Sequence, residues 1–156
     1  MFRPDVKAVA DAAASLGWEG VPVGIRMCGS DAWAIASLAP SPAVGTSGGL
    51  PVAIAGVLVV GDARSKPTER ASVFAGYCPR AILVPSGRDV LSMQMDAAVL
   101  NQGVVVAAKA GTLKLSDAGP TVANPSGVDA SAQQEFAERV YASLLAARSS
   151  ADDQGL

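Results

Sequence analysis

The sequence predicts a single three-layer α/β domain with a mixed, partly parallel sheet flanked by helices. Three observations point there. A chain of 156 residues can build one sizeable core but not two. The stretch 51–60, PVAIAGVLVV, is a continuous apolar run of the kind that fills a strand buried on both faces. Behind it, helix-like and strand-like segments alternate, the pattern of parallel strands joined by crossover helices.

The elements follow in order. Residues 4–16 read as a helix, with Pro4 at its first turn, an apolar face of Val6, Val9, Ala10, Ala13 and Leu16, and Gly17 where a left-handed C-cap belongs. Val21 to Met27 and Trp33 to Leu38 read as a strand pair around the turn-forming Cys28-Gly29-Ser30-Asp31. Residues 39–49, with two prolines and three glycines, read as a mobile surface loop before the central strand. Then come a short helix over 68–77, a strand over 80–84, a helix over 90–100 with Met93, Ala97 and Leu100 on one side, and a strand over 104–108. Ala110-Gly111 turns the chain into a last strand over 112–115, and a loop with Pro120 and Pro125 follows. Ser131 and Gln134 fit a capping box that opens a final helix, with Phe136, Val140, Leu144 and Ala147 on its apolar face. The domain is expected over 1–148, and SSADDQGL at 149–156 as a disordered tail.

Composition excludes whole classes of chemistry. There is no histidine, which removes Ser-His-Asp and Cys-His catalysis and His-containing zinc sites. Cys28 and Cys78 form no CxxC pair and are expected to be two buried thiols. No apolar run approaches the roughly 20 residues of a membrane span, and the N-terminal stretch carries charge inside its apolar residues, unlike a secretory signal. A cytoplasmic protein without membrane contact is expected. Aromatic residues are only 4% of the chain, which weakens the case for base stacking on ring platforms.

Net charge is −2, yet residues 64–88 hold Arg64, Lys66, Arg70, Arg80 and Arg88 against the single acid Glu69. This strip is the expected contact for nucleic acid or another anion. Its first part, GDARSKPT at 61–68, follows the central strand and opens a helix, where backbone N–H groups could join the cations around an anion. It has neither GxxxxGK[ST] nor GxGxxG spacing. Ser86 and Arg88, after the next strand, are expected at the same edge.

Asp31, heading the second strand, and Asp62-Ala63-Arg64, ending the third, complete the candidate chemistry. With these residues, the order helix, strand, strand, central strand, helix, strand resembles the core of the restriction-endonuclease-like, or PD-(D/E)xK, superfamily over roughly residues 4–108. The resemblance implies that Asp31 and Asp62 would ligate a Mg²⁺ ion that activates water against a phosphodiester. Arg64 stands where the family has lysine and cannot serve as a base. Lys66 would be its displaced substitute, and Glu19 an additional acid. The implied function is nucleic-acid or phosphate binding by a degenerate, inactive nuclease-like site. The alternative is a small structural or interaction domain that docks a protein partner or a second copy through its last helix or a sheet edge. Each acid also has an ordinary reading as a turn or cap residue.

Overall fold

In the computed structural model, which describes residues 2–38, 50–119 and 130–154, six strands form one sheet in the order β1-β2-β3-β4-β5-β6. The strands are β1 (Val21–Met27), β2 (Ser30–Leu38), β3 (Val52–Val60), β4 (Arg80–Pro85), β5 (Gly103–Ala108) and β6 (Gly111–Ser116). β1, β2 and β3 pair antiparallel, β3, β4 and β5 parallel, and β5 and β6 antiparallel. The sheet is therefore mixed and partly parallel, as the alternation of segments predicts. The helices are α1 (Val6–Ser15), α2 (Pro67–Ala71), α3 (Val90–Val99) and α4 (Ala130–Gln154).

Among the described residues, α1 is the one helix that covers this face of the sheet. Val9, Ala12 and Ala13 are buried against Ile35, Leu58, Ala81, Leu83 and Val105, and the alanines let the helix lie close to the strands. Asp5 is its N-cap, accepting from Ala8 N, so Pro4 precedes the helix instead of opening it. Gly17, at φ +76°, ends it: Gly17 N donates to Ala14 O and Trp18 N to Ala13 O, the paired bonds of a Schellman motif.

The opposite face carries α2, α3 and α4 over a core that includes Val57, Val59, Phe74, Ile82, Val104, Phe136, Val140 and Leu144. With core on both sides, Val57, Leu58 and Val59 of β3 are wholly buried, and each contributes about 1.5–3 kcal/mol of hydrophobic stabilisation. α2 is shorter than the sequence suggests, giving way to a 3-10 turn at Ser72–Phe74. Gln102, buried before β5, donates to Thr68 O and so ties β5 to α2.

Several local expectations are corrected. The β1–β2 turn is only Cys28-Gly29, both at positive φ, so Ser30 and Asp31 belong to β2. This tight turn leaves Cys28 exposed, and only Cys78 is buried. α4 continues to Gln154, through most of the segment read as a tail; the alanines at 146, 147 and 151 are strong helix formers that extend it. Ser131 lies inside that helix, and Gln134 donates to Glu138 Oε1 instead of closing a capping box. The loop expected at 39–49 and Pro120 and Pro125 lie outside the described residues. Among the described residues no helix is long and apolar enough to cross a membrane.

Candidate functional site

The chain leaves β3 at Gly61 and must cross to the α2 face to begin its parallel connection. β2 starts beside that point, because Trp33 pairs with Leu58 and Asp31 lies two residues earlier on the same strand. An open cleft of about 1350 Å³ forms where these termini meet. Its lining includes Phe2 and Arg3 ahead of α1, Arg26 of β1, Asp31 and Trp33 of β2, the loop residues Asp62, Arg64 and Ser65, Arg70 of α2, and Arg139 of α4.

Asp62 organises the loop. Its Oδ1 accepts from Arg64 N at 3.1 Å and Ser65 N at 3.2 Å, capping a 3-10 turn over Ala63–Ser65. The backbone N–H groups expected to cradle an external anion are therefore occupied by the chain's own carboxylate. Lys66 follows in left-handed conformation at φ 52°, which closes the turn and starts α2.

Arg70 holds the same loop from behind. Its Nη2 donates to Val60 O at 2.7 Å and Ser65 Oγ at 3.0 Å, and its Nε donates to Ser65 O at 2.8 Å. A Cβ on Gly61 would run into Ser65 Oγ and Arg70 Nη2, so a glycine is needed for this close approach. Burial pulls the Arg70 pKa below its ordinary value, while the charges of Asp31 and Asp62 oppose that shift. The guanidinium stays protonated at any physiological pH. Both candidate carboxylates thus sit in the field of one arginine.

Asp31 also pairs with Arg26, which faces it across the β1–β2 register, at 3.4 Å with both side chains largely exposed. Such a pair is worth at most about 1 kcal/mol, so Arg26 remains available to a stronger anion. Arg139 donates to Arg26 O at 3.1 Å and pairs with Glu135 at 3.2 Å, fixing α4 beside β1. The Arg64 guanidinium makes no hydrogen bond or ion pair among the described residues and is exposed at the cleft mouth.

The fold thus brings Asp31, Asp62, Arg64 and Arg70 together and leaves the other expected residues elsewhere. Ser86 and Arg88 follow β4 at the same C-terminal edge as Gly61, as expected, but they do not line the cleft, and neither does the exposed Lys66. Arg80 begins β4, at the opposite end of the parallel strands, where its Nη2 donates to Leu100 O. Glu19, just ahead of β1, is also at that far end, since Val21 pairs with Ala36. Among the described residues no three His, Cys, Asp or Glu side chains are grouped to hold a metal ion.

Arg3, Arg26 and Arg139 are the residues sequence reasoning missed. A two-residue hairpin turn fixes the register that sets Arg26 opposite Asp31, so Arg26 had a sequence signal. Arg139 had none, because only the packing of α4 brings it near. Five arginines and two aspartates give the cleft three excess positive charges in a chain of net charge −2. Arginine is suited to phosphate, which its planar fork can bind through two parallel hydrogen bonds. No protein-family model, curated protein or solved structure matches the chain.

Proposed function

We propose that this protein is a nucleic-acid-binding or phosphate-binding domain whose nuclease-like residues maintain a binding cleft instead of cutting. The observation that carries this reading is the convergence of five arginines, from four separate stretches of an acidic chain, on one open cleft. Arg26, Arg64 and Arg139 meet phosphate oxygens. Arg70 and Asp62 keep the β3–α2 loop in shape. Asp31 and Asp62 would hold a Mg²⁺ ion together with the ligand's phosphates, and the ion would offset phosphate charge beside the two carboxylates.

Fluorescence anisotropy with labelled DNA and RNA, at low and moderate salt and with or without Mg²⁺, tests the reading. Salt-sensitive binding that is lost in Arg64→Ala/Arg139→Ala supports it. Absence of binding at low salt refutes it, and cleaved label on a denaturing gel would make the protein a nuclease.

A second reading is favoured by the outer side of α3, where Leu91, Met95 and Val99 are 67%, 64% and 86% exposed at four-residue spacing. Such a stripe suits a protein partner or a second copy. It moves the interaction surface away from α4, whose Phe136, Val140 and Leu144 are already buried against the sheet. Sedimentation of the wild type and a Leu91→Ser/Met95→Ser variant distinguishes self-association from a monomer.

A further inference from the structure

Trp33 has no role in the reading above. It lies on β2 directly opposite Gly24 of β1, and both line the cleft. Glycine puts no side chain beside the indole: even a Cβ added at Gly24 would come only to 4.0 Å from Trp33 Cζ3. Trp33 packs against the α1 core, as Phe2 and Leu16 also do, and the residue remains partly exposed. Arg26 and Asp31 share its face of the hairpin, because Asp31 is two residues before Trp33 on β2 and Arg26 is Asp31's cross-strand partner. A partly open indole therefore lies within the cleft that holds the arginines.

This combination of ring and cations selects among anions. Inorganic phosphate gains nothing from an indole. A base gains a stacking surface, but only when it is free of its own neighbours, as in a single strand; duplex bases are already stacked. The cleft, at about 1350 Å³ and open, also exceeds the roughly 300–1,000 Å³ usual for small-molecule pockets. We infer that the ligand is single-stranded nucleic acid, with one base stacked on Trp33 and the adjoining phosphates on Arg26, Arg64 and Arg139. The inference rests on the phosphate-binding reading and makes it specific. The low aromatic content of the chain does not oppose it, since one ring in the right place suffices for one base.

The test compares three probes: oligo(dT) and oligo(U) of about twelve nucleotides, within the usual span of single-strand sites, and inorganic polyphosphate of matched charge. Tryptophan fluorescence and competition report binding to the wild type, Trp33→Phe and Trp33→Ala. The expected result is quenching by either oligonucleotide, tighter binding of it than of polyphosphate, and a loss of about 5- to 100-fold in Trp33→Ala for the oligonucleotides alone. Trp33→Phe, which keeps a ring, should recover most of that affinity. Equal binding of all probes without quenching overturns the stacked base and leaves the phosphate-binding reading intact. Failure of every probe to bind at low salt overturns both. Should Trp33→Ala not fold, quenching and the polyphosphate comparison in the wild type decide the matter alone.

Discussion

The two ends of the parallel strands each hold a half-buried arginine bound to backbone carbonyls, and they differ in what surrounds it. Arg70, beyond the C-terminal end of β3, grips Val60 O and Ser65 O beside two aspartates and four further arginines contributed by the segment ahead of α1, β1, the β3–α2 loop and α4. Arg80, at the N-terminal end of β4, donates to Leu100 O and lies near the buried Cys78. Burial lowers the pKa of both guanidiniums. A buried arginine on carbonyls is thus a structural device at either end, and the exposed cations gathered around Arg70 are what make one end a candidate site.

Removing each anchor gives the largest expected effects. Arg70→Ala strands two carbonyls and should destabilise the domain by about 2–3 kcal/mol, measured by urea denaturation, while also weakening anion binding. Arg80→Ala removes one bond and should cost about 1 kcal/mol with anion affinity unchanged. Equal losses of affinity in the two variants would erase the distinction between the ends.

Cys78 sharpens the comparison through pH. Burial raises its thiol from the ordinary 9.0 to about 12, against a weaker opposing pull from Arg80. Between those values the folded state keeps a proton that the unfolded chain releases. The associated stability is fully present below about pH 9 and is lost as pH rises toward 12. Melts across that window should fall less steeply for Cys78→Ala than for the wild type. At neutral pH a thiol reagent should modify Cys28 quickly and Cys78 only on unfolding.

The smallest effects belong to the exposed side chains. Arg64→Ala and Val99→Ser should each change stability by less than about 0.5 kcal/mol, because neither side chain is buried. Arg64→Ala should nevertheless weaken anion binding, so stability and affinity separate at this residue and move together at Arg70.

How much of this was legible in the sequence follows from the range of the forces involved. Local signals read well: the apolar run of β3, the alternation of segments behind it, and Gly17 as a helix stop. Asp31 and Asp62 could be brought together because a hairpin and an adjacent strand fix their relation. The basic strip at 64–88 could not be read as a surface. The crossover through α2 returns the chain to the other end of the sheet before β4 begins, so Arg64 and Arg80 lie at opposite ends despite their closeness in sequence. Arg139 arrives from the far end of the chain through helix packing alone.

The central claim is that the cleft, and not the basic residues of the strip outside it, binds phosphate. The most direct test is the salt dependence of oligonucleotide affinity in the wild type, in Arg64→Ala/Arg139→Ala and in Lys66→Ala/Arg88→Ala. Each lost phosphate contact should reduce the slope of log affinity against log salt by about 0.7. The account predicts a shallower slope and weaker binding for the cleft pair, with the strip pair close to wild type. The opposite pattern, or equal losses in both, would contradict it.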